Sequence, residues 1–269
     1  MMTTKPSPPL LKLSQVSREI KDHKDATKRL LDDVTWELAE EKRVALISTS
    51  SLSARAFLDC AAGIVSPQSG TVSINANVSW PLGDRGGLLN NLSARQNATF
   101  LHGIYGEYGK LSRDLDFVKD LAGLDRTFFN RPIKTYNKLM RSRFYLALSL
   151  AFEFDAYIIP KTFAWTSNAN SERARRFQDI LSQRVEGKSL IMAHTDFNIL
   201  ERFCTDGLVL DQGAIVFSGP LQECREWYGS HVSSKATDDD NELDSTDDDQ
   251  PQASSDDAED QQSLDDDLW

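Results

Sequence analysis

Residues 44–64 read Val44-Ala45-Leu46-Ile47, then Ser48-Thr49-Ser50-Ser51-Leu52-Ser53-Ala54-Arg55-Ala56, then Phe57-Leu58-Asp59-Cys60-Ala61-Ala62-Gly63-Ile64. An apolar run, a small polar stretch and a second apolar run predict a buried strand, a loop and a helix. This is the frame of a phosphate-binding loop. The pattern G-x-x-x-x-G-K-[ST] would put glycine at 48 and 53, lysine at 54 and a hydroxyl residue at 55. The chain has Ser48, Ser53, Ala54 and Arg55 instead, with Ser51 between them. Glycine lets successive N–H groups turn inward around phosphate, lysine neutralises it, and the hydroxyl holds a cation, so each task has lost its residue type. A strand, a polar turn and a helix alone name no ligand.

Working outward, residues 10–20 and 33–38 read as strands on either side of a charged turn, and 70–74 follows the turn Pro67-Gln68-Ser69 as another strand. From Ser93 to about Ala151 the apolar residues recur three and four apart, predicting helices over 94–105, 115–122 and 138–151. Further buried strands are expected at 156–159 and 189–193, with helices at 171–184 and 198–203. A hairpin is expected to turn on Asp211-Gln212-Gly213. Buried strands alternating with helices imply a parallel-sheet α/β core with antiparallel additions at an edge.

The chain has 269 residues and a net charge of −11, but its acidity is local. Residues 233–269 hold 15 carboxylates and one lysine, a net −14, which leaves about +3 for the rest. That tail, with runs such as Asp238-Asp239-Asp240, is expected to be disordered and to repel nucleic acid. Three cysteines, Cys60, Cys204 and Cys224, suit neither a disulfide framework nor a metal cluster and fit a reducing compartment. No run approaches the ~20 apolar residues that a membrane-spanning helix needs, and Met1-Met2-Thr3-Thr4-Lys5-Pro6-Ser7-Pro8-Pro9 lacks the apolar stretch expected of a signal peptide.

Several strings resemble the ATP-binding subunits of ABC transporters, and within them the capsular polysaccharide exporters. They are Ser79-Trp80-Pro81-Leu82-Gly83 with Gly86-Gly87, Pro132-Ile133-Lys134-Thr135-Tyr136 with Met140-Arg141-Ser142-Arg143, and Ala151-Phe152-Glu153-Phe154-Asp155-Ala156-Tyr157. The resemblance covers about residues 10–228 and implies an α/β, ABC-type ATPase fold of the P-loop NTPase kind. Such a fold has a RecA-like parallel-sheet core, an antiparallel β subdomain and a helical insert, here expected at about 88–153. Residues 1–9 are expected to be a flexible N-terminus, 10–232 the ABC ATPase-like domain, and 233–269 the tail.

The resemblance also implies ATP and magnesium, yet the positions it assigns to them are altered. The adenine-stacking aromatic falls at Ile20, and the two carboxylates that serve magnesium and the attacking water fall at Pro160 and Lys161. The signature loop reads Asn137-Lys138-Leu139, the Q-loop glutamine is Leu89, and the D-loop aspartate is Ser167. The switch histidine position is Thr195, with His194 one residue early and so on the other strand face. Phosphoryl transfer rests on positioning and charge stabilisation, so no functional catalytic residue, metal site or bound cofactor is expected. Lys161 is expected to seek the hydroxyls and carbonyls of 48–53.

The leading expectation is a catalytically deficient ATPase-like subunit of a polysaccharide exporter. It would be cytoplasmic, peripheral on the inner membrane, bound to a permease and paired with itself or a competent ABC ATPase. Residues 85–92 with Tyr105 and Tyr108 are expected to line the groove that receives the permease. The alternatives are an active subunit using Arg55, Ser51 and Ser53 as substitutes, and a soluble interaction protein that has left transport.

Overall fold

Two sheets organise the chain, of which the computed structural model describes residues 8–21, 27–161 and 172–231. In chain order the elements begin with β1 (Leu11–Lys21), β2 (Thr27–Leu38), β3 (Arg43–Ser48), α1 (Ser51–Ala61) and β4 (Ser69–Ile74). Next come the helices α2 (Ala94–Tyr105), α3 (Leu111–Ala122), α4 (Arg126–Phe129) and α5 (Lys138–Ser149). The remainder is β5 (Ala156–Ile159), α6 (Glu172–Arg184), β6 (Ser189–Ala193), α7 (Phe197–Phe203), β7 (Asp206–Asp211), β8 (Ala214–Pro220) and α8 (Leu221–His231). The acidic segment 233–269 lies outside the described residues, as does Ser167.

The larger sheet has the order β5-β6-β3-β7-β8, parallel through β7 and closed by antiparallel β8. β5 and β6 are buried at every position and β3 and β7 at their central ones because both faces are covered, whereas the edge strand β8 is only partly buried. Successive residues point to opposite sides. Ala45, Ile47, Tyr157, Ile159, Leu190, Met192 and Val209 pack into one apolar core with the helical insert. Val44, Leu46, Ala156, Ile158, Ile191, Ala193, Leu208 and Leu210 pack into a second with α1 and the smaller sheet. That smaller sheet is antiparallel, in the order β2-β1-β4. The β7–β8 hairpin turns on Gln212 and Gly213, whose φ of 49° and 84° are the paired left-handed values of a type I′ turn.

The helical insert holds α2 to α5, inside the expected 88–153. The strings that carried the resemblance build its attachment to the sheet. The Trp80 ring meets Tyr105 at 5.3 Å and Phe154 at 5.7 Å, Tyr105 meets Phe154 at 5.5 Å, and Phe154 meets Tyr157 edge-on at 5.6 Å. The buried Ser79 hydroxyl accepts the Ile158 amide at 2.9 Å.

Several boundaries differ from the sequence reading. The polar stretch 48–56 is mostly helix, because Ser50 caps the amide of Ser53 and α1 starts three residues into the expected loop. β2 begins at Thr27 rather than 33, and α3 at Leu111 rather than 115. Tyr105 is half-buried between the rings of Trp80, Phe152 and Phe154.

Candidate functional site

The C-terminal edge of the parallel strands is where open α/β sheets bind ligands. Here it gathers Ser48, Pro160, His194 and Asp211, each at or just past the end of its strand. The loop between β3 and α1 is folded on itself. The Ser48 hydroxyl donates to the Ser50 carbonyl at 2.9 Å and accepts the Ser50 amide at 3.2 Å. The Ser50 hydroxyl accepts the Ser53 amide at 3.3 Å, and its carbonyl accepts the Ala54 amide at 3.0 Å. None of residues 48–55 has a positive φ. Thr49 donates its hydroxyl to Asp211 at 2.7 Å, tying the loop to the end of β7. The Ser51 hydroxyl oxygen is buried with no hydrogen-bond partner among the described residues.

Arg55 does not face this loop's amides. Its Nε donates to both carboxylate oxygens of Asp59 at 2.9 Å, and its terminal nitrogen pairs with Asp84 at 2.8 Å. Burial works to lower the guanidinium pKa, but the two carboxylates outweigh it and the net shift is upward. The cation is permanent. Asp59 and Asp84 are not singled out by the sequence reading, and Asp211 only as part of the hairpin turn. Asp59 was legible as an i,i+4 partner of Arg55 on a helix, whereas Asp84 and Asp211 are brought near only by the fold.

Pro160 is buried and Lys161 is half-buried beside it. His194 is only 8% exposed, and its Nδ1 accepts the Asp196 amide at 2.9 Å, which fixes the neutral ring as an acceptor there. Its pKa is lowered, first by burial, with Asp196 opposing and the charge of Lys161 adding to the decrease. The exposed Thr195 follows it. A depressed histidine pKa means that the unfolded chain takes up its proton first as pH falls. His194 therefore costs no stability above its ordinary 6.5 and removes stability as pH drops from 6.5 toward the folded value. Chemical denaturation at about pH 7.5 and about pH 5.5 should show a smaller acid loss in His194→Gln than in the wild type.

The other predicted positions lie on separate elements. Ile20 is half-buried near the end of β1, packed on the core that holds α1. Asn137 caps α5 by accepting the Met140 amide at 2.8 Å, Lys138 is exposed at the helix start, and Leu139 is 49% exposed. Leu89 projects its side chain outward while its backbone is clasped by the buried Asn97, whose Oδ1 accepts the Leu89 amide at 2.9 Å. Phe100, Ile104 and Tyr108 are also exposed on the insert. No group of three metal-binding side chains occurs among the described residues.

No family model matches the chain. Comparison with individual proteins is informative. Over 184 residues it is 31% identical to the polysialic acid transport ATP-binding protein KpsT of Escherichia coli, covering 68% of this chain and 80% of that protein. Over 205 residues it is 23% identical to the capsule polysaccharide export ATP-binding protein CtrD of Neisseria meningitidis serogroup B, covering 75% and 90%. In fold it matches the dimeric, ADP- and phosphate-bound ATP-binding cassette MJ0796 with a TM-score of 0.62 at 18% identity, over 78% of this chain and 98% of the cassette. An ATP-binding subunit of an ABC transporter matches with a TM-score of 0.64 at 18% identity, over 82% and 93%. Sequence identity over two thirds of the chain and the shared cassette fold agree with the strings at 79–83, 132–143 and 151–157: the chain belongs to the family of capsule polysaccharide export ABC ATP-binding proteins.

Proposed function

We propose that this chain is a cassette subunit of a capsular polysaccharide exporter that keeps the fold and partner surfaces and does not hydrolyse ATP. The observation that carries the reading is Ser50. Its carbonyl and hydroxyl take the Ala54 and Ser53 amides, and its own amide is taken by Ser48, so three of the donors that would cradle phosphate are already engaged. The surrounding residues do not fit a magnesium nucleotide either. Ala54 carries no charge, Arg55 is held by Asp59 and Asp84, and Pro160 and Lys161 offer no carboxylate to a metal or water. No reaction step is therefore assigned to the site.

The exposed Leu89, Phe100, Ile104 and Tyr108 supply apolar side chains for a membrane permease to contact. No helix among the described residues is long and apolar enough to cross a membrane. A place on the cytoplasmic face of the membrane, in a pair with a second cassette, follows from this role.

The test is phosphate release by the purified chain, alone and co-purified with its permease. Turnover stays at the level of a mock preparation in both. Turnover above that level, abolished by Arg55→Ala, would establish the active-subunit reading with Arg55 as its cation.

A further inference from the structure

We infer that Arg55 is a positioning residue, a cation built into the chain that ties α1 to the 81–89 segment and fixes the backbone of Leu89 without nucleotide. This rests on the proposal that the site does not take magnesium-ATP. The tie begins with the guanidinium between Asp59 on α1 and Asp84 in the following layer, both carboxylates 16% exposed. Asp84 lies in a turn whose amide donates to Pro81 at 3.1 Å. The same turn is anchored through the Leu82 amide to Ile158 on β5 at 2.9 Å and through the Gly83 amide to the Ser149 hydroxyl on α5 at 3.0 Å.

The next residue carries the connection onward. Arg85 donates its Nε to the Leu88 carbonyl at 3.1 Å, and the Leu88 amide donates back to the Arg85 carbonyl at 3.2 Å. Leu89 is then clasped by Asn97 on α2, which accepts its amide at 2.9 Å and donates to its carbonyl at 3.1 Å. Asn97 is 2% exposed and also donates to the Leu92 and Ser93 carbonyls at 3.3 and 3.0 Å. A continuous polar route therefore runs from the altered loop to the exposed Leu89.

A two-carboxylate site around a partly buried arginine is costly to break from one side. Removing the cation leaves Asp59 and Asp84 facing each other without compensation, and the turn at 81–84 loses its link to α1. Arg55 is thus specific in a way that a surface ion pair is not. A lysine keeps the charge but cannot span both carboxylates with a rigid fork.

Hydrogen exchange on the full chain tests this. In Arg55→Met the amides of Asp84, Leu88 and Leu89 exchange about tenfold faster while the β6 amides keep wild-type protection, and Arg55→Lys recovers part of the loss. Asp84→Asn, which spares the arginine and α1, gives the same local increase and serves if Arg55→Met does not fold. Unchanged exchange at 84–89 in a folded Asp84→Asn or Arg55→Met protein overturns the inference, as does an increase spread evenly over β6. Addition of magnesium-ATP leaves the wild-type pattern unchanged. Protection at 48–55 on adding it would overturn the reading that the site does not take magnesium-ATP and leave the Arg55 result to be judged by the variants alone.

Discussion

Replacing Phe154 with alanine lowers the unfolding free energy by about 3–5 kcal/mol. The side chain is 1% exposed and fills the junction at which the helical insert meets the parallel sheet. Its ring touches three others, with centroids 5.7 Å from Trp80, 5.5 Å from Tyr105 and 5.6 Å from Tyr157. Truncation removes the transfer free energy of the ring and opens a cavity that aromatic neighbours, limited to two side-chain torsions, fill poorly. The Phe154 amide donates to the Tyr157 hydroxyl at 3.2 Å, so the strand start shifts with the ring. Denaturant melts of Phe154→Ala and Tyr108→Ala make the comparison direct. Tyr108 is fully exposed, and its loss changes stability by less than about 0.5 kcal/mol. Equal effects in the two variants would remove the hub from the account of the fold.

The parallel core was legible because its strands leave no alternative. Arg43–Ser48, Ala156–Ile159 and Ser189–Ala193 are short apolar runs flanked by turns, and their two-sided burial follows from that composition. Helix α2 was legible from end to end, since Ser93 and Gln96 form a capping box and Gly106 ends it. The start of α1 was not. Serine favours turns and caps alike, so Ser48 to Ser53 read as loop until Ser50 was seen taking the Ser53 amide. The register of β1 also escapes pattern reading, because bulges near Gln15 and Arg18 interrupt its alternation.

At the candidate site the substitutions were legible but their consequences were not. Ala54, Pro160 and Lys161 announce the missing charge and carboxylates in one dimension. The use of the loop amides by Ser48 and Ser50, and the capture of Arg55 by Asp84, depend on which elements the fold places side by side. His194 illustrates the same limit. Its one-residue offset was visible, but its acceptance of the Asp196 amide and its lowered pKa come from burial at the end of β6.

Lys161→Glu alone does not bind magnesium-ATP more tightly than about 1 mM by calorimetry. The substitution restores one carboxylate, but binding needs donors, a cation and a metal ligand arranged together, and the contributions of such groups are not additive. Ala54 still offers no ammonium, Arg55 remains paired with Asp59 and Asp84, and the Ser53 and Ala54 amides remain engaged by Ser50. A carboxylate introduced without a cation would repel the triphosphate it is meant to serve. The chain carrying Ser48→Gly, Ser50→Gly, Ser53→Gly, Ala54→Lys, Arg55→Ser and Lys161→Glu together removes both hydroxyls that engage the loop amides and supplies the lysine and hydroxyl, and it gains at least about a hundredfold in affinity over Lys161→Glu. The single variant has a second readout that does not depend on nucleotide. Lys161 lowers the His194 pKa, so its replacement by glutamate moves that titration upward in the proton spectrum of the imidazole. Micromolar magnesium-ATP binding by Lys161→Glu alone would mean that the loop opens to ligand despite its internal hydrogen bonds, and the proposal of a catalytically deficient cassette would fall with it.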